Sequence, residues 1–460
     1  MKASRFLELQ FRTSLRHRWL LLVCTLAGAS GCMGILRSES LLPPNILFIV
    51  ADDLGWGDVS WHGSEIRMPY LDELARTGVR LEQHYVMSTC SPTRAGLFGG
   101  RFPSRFGCLS PTNRRVFPKG TPTLPSLLKS RGYFTGITGK WHLGSLPKWG
   151  PLKHGFVASY GCLAGGVDQY GHWYKDGDYR RTWHENDRWF EEEGHSTDLF
   201  AARAARWIRQ YEDQPWFIAV THTAPHIPLQ EERRWLRYYD RLIDDPSRRL
   251  FASAVTHLDD TVGRLVRVLE ETGQRDRTLI VFTSDNGAQR DWFGTDQYAG
   301  GHLPCPTLGN NRPLRGWKGQ LFEGGIRVPA LVNWPTQLKS RTVSEPIHIV
   351  DWMPTLLGLA GIAEGQRPKL DGTNLWPILS GTELDLPSRG LYWRTPQARA
   401  LREAQWKFII DRGEPFLFDL SLDPMEQVNR ASAFPGIVER LNKRIEQFAA
   451  EDVEAALSFN

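Results

Sequence analysis

The chain has 460 residues, of which 23% are charged and 41% hydrophobic, and its formal net charge is +5. That length exceeds the usual size of one core, so a large domain with a smaller companion is expected. Lys2, Arg5, Arg12, Arg16 and Arg18 against Glu8 place most of the excess charge in residues 1–31, and the near-neutral remainder excludes a nucleic-acid footprint.

Residues 1–31 read as an export signal: a basic start, an apolar run from Trp19 to Ala27, then Gly28-Ala29-Ser30-Gly31 before Cys32. Ala-Ser-Gly-Cys resembles a bacterial lipoprotein cleavage box, which implies Cys32 as a lipidated mature N-terminus. A plainly cleaved signal and a retained membrane anchor are the alternatives. The mature protein is then expected outside the cytoplasm, as a periplasmic protein or a membrane-anchored lipoprotein, with contact to a membrane only through that N-terminus. No later run is long and apolar enough to span a bilayer. Residues 32–44 read as a linker ending in Pro43-Pro44.

The apolar run Asn45 to Ala51 shows no alternation, which suits a parallel strand buried on both faces. It ends in Asp52-Asp53, at the sheet edge where α/β proteins bind ligands; a loop-capping pair is the plainer alternative. Met68 to Gly78 is a predicted helix, and Val79 to Tyr85 leads into STCSPTRAGLFGGRFPSRFG, Ser88 to Gly107. Within it, Cys90, Pro92 and Arg94 form C-x-P-x-R ahead of a helical run, Ala95 to Phe98. Pro92 stands where its missing N–H costs nothing, and Cys90 at the positive helix end, which favours an anion. Alone, so short a pattern also fits a buried structural cysteine.

Thr123 to Arg131 is a predicted helix, and the strand Tyr133 to Thr138 delivers Gly139-Lys140-Trp141-His142-Leu143-Gly144. His154 to Gly194, rich in Gly, aromatics and charge, reads as a loop or short-strand excursion over the sheet edge. Trp173, Trp183 and Trp189 in it could stack on sugar rings, although in a chain with 18 tryptophans packing is the commoner use. Ser196 to Glu212 is a predicted helix with capping oxygens in Ser196-Thr197-Asp198. The strand Pro215 to Val220 ends near His222 and His226-Ile227-Pro228. A long helix, Leu250 to Thr272, precedes the strand Thr278 to Ser284, which stops at Asp285-Asn286. After the loop Gln289 to Arg312 come Lys318, Glu323-Gly-Gly-Ile-Arg-Val-Pro and a helix from Ile349 to Ala360. Beyond about residue 365, Gly390 to Trp393, Trp406 to Ile410 and Phe416 to Leu420 read as antiparallel strands, before Asp423-Pro424-Met425-Glu426 and a helix from Phe434 to Glu451.

Four strand ends thus carry Asp52-Asp53, Lys140 with His142, His222 with His226, and Asp285-Asn286, and parallel strands gather such ends at one edge. Three acids and an amide are hard oxygen donors, suited to Ca²⁺ or Mg²⁺ rather than zinc.

C-x-P-x-R at Cys90, G-K-W-H-L-G at Gly139, E-G-G-x-R-x-P at Glu323 and V-D-x-x-P-T at Val350 together resemble the type I, formylglycine-dependent sulfatases, and look most like the arylsulfatase B and N-acetylgalactosamine-sulfatase branch. The resemblance implies an α/β fold: an alkaline-phosphatase-like α/β/α sandwich over residues 45–365, with a smaller C-terminal α+β domain over 366–460. It implies that a formylglycine-generating maturation enzyme oxidises Cys90 to 3-oxoalanine (formylglycine). Asp52, Asp53, Asp285, Asn286 and the modified Cys90 would hold Ca²⁺, with Mg²⁺ the less expected ion. Arg94 would steady the aldehyde hydrate and His142 would hydrogen-bond it. Lys140, Lys318 and His226 would contact sulfate and leaving-group oxygen. His226, in H-x-P, is preferred to His222 as proton donor, and His222 is kept as a further substrate contact. With Cys90 modified, Cys108, Cys162 and Cys305 remain beyond the export segment, an odd number that argues against a disulfide framework.

The implied activity is hydrolysis of a sulfate ester on a sulfated carbohydrate. One hydroxyl of the hydrate attacks sulfur while histidine protonates the departing alcohol, and the second hydroxyl then expels sulfate. Metal and lysines neutralise the sulfate oxygens. A phosphonate or phosphate-diester hydrolase of the same superfamily is the second reading, and a sugar-binding protein with an inactive site the third.

Overall fold

The structure is a computed structural model that describes residues 43–294, 296–298 and 301–454. The export signal, the candidate lipidation site Cys32 and most of the linker lie outside the described residues. Among the described residues, no helix is long and apolar enough to cross a membrane, and Cys90, Cys108, Cys162 and Cys305 are all free thiols.

A ten-stranded sheet organises the chain. Its order is Arg341–Val343, Val79–Leu81, Ala330–Asn333, Thr278–Ser284, Asn45–Ala51, Trp216–Thr221, Phe134–Lys140, Ala158–Cys162, Trp183–Glu185 and Arg188–Trp189. The five strands from Thr278–Ser284 to Ala158–Cys162 are mutually parallel, and antiparallel pairs flank them on both sides. Asn45–Ala51 shows why this centre must be covered twice. Ile46, Phe48 and Val50 face one apolar cluster, with Ala95, Phe98, Leu128 and Leu356 from the helices Cys90–Gly99, Leu124–Ser130 and Trp352–Leu359. Leu47, Ile49 and Ala51 face a second, with Leu71, Phe200 and Leu258 from Pro69–Thr77, Ser196–Gln210 and Pro246–Glu271. A strand apolar at every position needs helices on both faces. The result is the α/β/α sandwich that the resemblance implies.

Some local outcomes differ from the sequence reading. Ala158–Cys162 lies inside the expected excursion yet pairs in parallel with Phe134–Lys140; its five residues, ASYGC, carry no apolar run. The helix Ser196–Gln210 is capped by His195, whose Nδ1 accepts the Thr197 N–H at 3.2 Å, and not by a hydroxyl or carboxylate. The long helix begins at Pro246, because Asp245 accepts the Arg248 N–H at 2.9 Å and proline suits the first position.

The C-terminal region is a four-stranded antiparallel meander, Gly390–Arg394, Ala398–Glu403, Trp406–Asp411 and Glu414–Asp419, joined by the helix Pro435–Ala449. Ala398–Glu403, sequence ARALRE, is broken by Arg399 and Arg402 and has no apolar run to mark it as a strand. The meander packs Leu391, Trp393, Ile409 and Phe418 against Tyr85, Phe322 and Ile326. At the centre of that contact the fully buried Lys407 places Nζ 2.8 Å from Glu323 Oε1 and 2.9 Å from Glu426 Oε1. The Glu426 carboxylate also accepts the Glu323 N–H at 2.6 Å. Burial alone would raise the Glu323 pKa, but Lys407 and two nearby arginines outweigh it and hold the group at about 2.

Removing one partner of a buried ion pair strands the other. Lys407→Met is therefore expected to lower the unfolding free energy by about 3–5 kcal/mol, measured by denaturant titration of the two proteins.

Candidate active site

The site is assembled by register. Ala51 pairs with Ser284, Val50 with Thr221, and Gly139 with Thr221, so four strands end level with one another. The next residues, Asp52-Asp53, Asp285-Asn286 and Lys140, consequently meet at one edge. Gly139 has φ +114°, and a Cβ there would stand 2.0 Å from the Thr221 carbonyl oxygen, so only glycine lets Lys140 come this close.

The helix Cys90–Gly99 runs over this edge and presents Cys90 and Arg94, four apart, on one face. Arg94 is buried; its Nη2 lies 2.8 Å from Asp285 Oδ2 and its Nη1 donates to the Lys140 carbonyl at 2.5 Å. Lys140 Nζ lies 2.5 Å from Asp52 Oδ2, and Lys318 Nζ 2.7 Å from Asp53 Oδ2. Asn286 Nδ2 donates to Asp53 Oδ1 at 2.6 Å. Asp53 itself is left-handed at φ 70°, a conformation rare outside glycine that persists where the surroundings impose it.

Can this set hold a cation? Cys90 Sγ and one oxygen each from Asp52 and Asp285 all lie within 4.8 Å of one another. Asp52 Oδ1 and Asn286 Oδ1 are buried without a hydrogen-bond partner, which is costly for polar atoms unless something else binds them. Burial, then the nearby Asp285, push the Asp52 pKa up to about 7. Crowded carboxylates with bare oxygens and no thiolate or imidazole majority fit a hard divalent ion. Asp53 differs: burial would raise it, but Lys318 and His226 hold it at about 2. Burial also raises the Cys90 thiol above its usual range, outweighing Lys140 and Lys318.

Cys90, His142, His226 and Lys318 share the walls of a cavity of about 350 Å³ with Asn113 and Lys175. His226 Nδ1 lies 2.5 Å from the Ile227 carbonyl, which can only accept, so Nδ1 carries hydrogen. Its Nε2 stands 3.8 Å from Asp53 Oδ2. His142, left-handed at φ 55°, donates its N–H to the Leu163 carbonyl at 3.0 Å and has a buried, unpartnered Nδ1. Burial first, and then a neighbouring lysine, hold both histidines well below the usual imidazole pKa.

His222 is the candidate that the fold takes elsewhere. Directly after its strand it turns into the helix layer, fully buried, with Nε2 3.3 Å from Thr261 Oγ1, and it forms no part of the cavity wall. His226, four residues on, is past the turn and reaches the cavity. Trp183 is likewise a packing residue, stacked on His172 at 3.9 Å, while Trp173 and Trp183 border a separate cavity of about 450 Å³ beside Glu191 to Glu193. Asn113, Lys175 and Trp292 reach the site from aperiodic segments, and no motif announced them.

The segment carrying His226 is braced from below. His257, on the long helix, lies with Nδ1 2.9 Å from Glu231 Oε2 and Nε2 3.2 Å from Asp198 Oδ1. Burial would lower its pKa, but the two carboxylates prevail and raise it from 6.5 to about 9.

A family model described as Sulfatase matches residues 44–362. Mouse arylsulfatase J is 32% identical over 88% of this chain and 75% of its own length. Human N-acetylgalactosamine-6-sulfatase is 33% identical over 77% of this chain and 69% of its own. Among solved structures, Ps i-CgsB in complex with k-i-k-neocarrahexaose superposes with a TM-score of 0.80 at 30% identity, covering 90% of this chain and 94% of that one.

A histidine whose pKa is raised on folding stabilises fully below its unfolded value and loses that contribution as pH rises through the folded one. The stability advantage of wild type over His257→Gln is expected to be greatest, about 3 kcal/mol at most, below pH 6.5 and to fade through about pH 9. Urea denaturation of both proteins across that range measures it.

Proposed function

Because the chain belongs to the sulfatase family and is a sulfuric ester hydrolase, we propose that its substrate is a sulfated carbohydrate, cleaved with Cys90 matured to formylglycine and Ca²⁺ held by Asp52, Asp53, Asp285, Asn286 and residue 90. The observation that carries this reading is the meeting of the Cys90 sulfur with two carboxylates at the base of a cavity walled by His142, His226 and Lys318. Relatives named for N-acetylgalactosamine-6-sulfate chemistry and a neighbour holding a neocarrahexaose support a sugar substrate. Export beyond the cytoplasm, with or without a lipid at Cys32, and encounter with a formylglycine-generating enzyme belong to the same reading.

When present, the cation withdraws charge from the sulfate oxygens and the aldehyde hydrate of residue 90 supplies the attacking hydroxyl. The side chains of the chain do the rest. Asp52, Asp53 and Asp285 are balanced by Lys140, Lys318 and Arg94, so these six side chains cancel and would leave the site positive toward an anionic ester with a divalent ion in place. Lys318, on the cavity wall, and Lys140, beneath it, neutralise sulfate oxygens where charge grows during transfer. Arg94, locked between Asp285 and the Lys140 carbonyl, fixes the helix end that carries residue 90. His226 holds its hydrogen on Nδ1 against Ile227 and offers Nε2 to the leaving oxygen. The negative charge of a bound ester opposes the Lys318 charge that helps keep its pKa low, and so favours the protonated acid. His142 orients the nucleophile.

A phosphonate or phosphate-diester hydrolase is the alternative; turnover of 4-nitrophenyl sulfate and of defined sulfated oligosaccharides in preference to phosphate esters decides against it. In protein co-produced with a maturation enzyme, the Cys90 peptide is expected to be about 18 Da lighter than the unmodified one by mass spectrometry. A fully active enzyme with an intact thiol contradicts the reading. Cys90→Ala is expected to abolish turnover, and Lys318→Ala to lower kcat/KM by about 10²-fold or more. Calcium is expected to raise the midpoint of thermal unfolding of the wild type, and Asp285→Ala to remove that response.

A further inference from the structure

Among the described residues, the walls of the active-site cavity contain two lysines, Lys175 and Lys318, and no carboxylate. Lys318 is answered by Asp53 below it, as Lys140 is by Asp52 and Arg94 by Asp285. Lys175 has no such partner. Among the described residues no carboxylate lies within salt-bridge distance of it, and Asp176, its neighbour in sequence, is turned away to Arg180 at 2.6 Å. Its ammonium stands 5.9 Å from the Tyr174 ring centroid. The side chain is half-buried, and burial together with the charges of Lys318 and Lys140 hold its pKa below the usual lysine range. A desolvated cation facing two like charges is relieved by an anion arriving with the ligand.

Around it the wall offers amides, Asn113, Gln289 and Gln297, and two large aromatics, Tyr174 and Trp292, a lining suited to the hydroxyls and apolar face of a sugar. The larger cavity sets Glu191, Glu192 and Glu193 against the single Arg181, a wall of net negative charge that suits an anionic ligand less well.

We propose that Lys175 binds a second anionic group of the substrate, a carboxylate or a further sulfate on the same or an adjoining ring, while Lys318 takes the sulfate being removed. This rests on the sulfated-carbohydrate reading and narrows it to polyanionic sugars. Lys175 is a specificity-determining residue: it touches a part of the substrate that does not react.

The test compares matured wild type, Lys175→Ala and Lys175→Arg on three sugars that share one scissile sulfate ester. One is otherwise neutral, one carries a uronate on the adjoining ring, and one carries a second sulfate. Wild type is expected to prefer one doubly charged sugar, and Lys175→Ala to reduce that preference about tenfold or more, chiefly through KM. Lys175→Arg retains most of it, and added salt erodes it. The sugar that loses its advantage identifies the carboxylate or the sulfate as the group bound. Equal losses on all three sugars, or none on any, overturn the proposal. Should wild type turn over none of them, the carbohydrate reading fails separately. Lys175 is then judged by calorimetric binding of the same sugars to the Cys90→Ala protein, where a charge preference that vanishes with Lys175→Ala supports the proposal and equal affinities overturn it.

Discussion

Charge held out of water at one sheet edge is what the molecule is built to tolerate. Asp52, Asp53 and Asp285 are each buried, and each stands within hydrogen-bond reach of Lys140, Lys318 or Arg94. Alone there, the carboxylates and lysines would be driven neutral, and the guanidinium would bear the cost of an unpaired buried charge. The partners come from five separate places in the chain, so the pairing holds only if parallel strands end level and the helix Cys90–Gly99 crosses them at the right height. Flush strand ends, the glycine at position 139 and the left-handed turn at Asp53 all follow from that demand.

The same constraint explains the asymmetry of the carboxylates. Asp53 has a lysine and a histidine beside it and stays ionised far below neutrality. Asp52 shares its surroundings with Asp285 and retains an oxygen with no partner. Opposite charge on one side and crowding on the other make a gradient across a few ångströms, with Cys90 clustered beside the crowded pair, Asp52 and Asp285.

Much of this was legible in the residues because chemistry and periodicity coincide there. Asp52-Asp53 and Asp285-Asn286 end unbroken apolar runs, and Arg94 follows Cys90 by one helical turn. Where that coincidence lapses, sequence reasoning lost its grip. His222 and His226 flank the same strand end, and only the turn between them sends one to the helix layer and the other to the cavity. Ala158–Cys162 is a buried strand of small residues that looks like loop, and Ala398–Glu403 is a strand disguised by arginines. His195 caps a helix with an imidazole, outside the usual capping set. Asn113 and Lys175 are single polar residues in aperiodic stretches, and only the folded backbone brings them to the site.

The contact around Lys407 bears on where this protein could be cut. Glu323 follows Lys318 by five residues, the Gly319 N–H donates to the Ser88 carbonyl, and Arg315 donates to the Glu426 carbonyl at 2.9 Å. The meander therefore clamps the very segment that reaches into the cavity. A truncation near residue 365 would spare the ten-stranded sheet yet strip Glu323 of Lys407, leaving it only Arg327 at 3.5 Å, and leave the segment bearing Lys318 without its backing. For engineering, the two parts of the chain form a single unit of inheritance: grafts and chimeras that exchange the small C-terminal sheet must carry Glu323, Lys407 and Glu426 as one cassette.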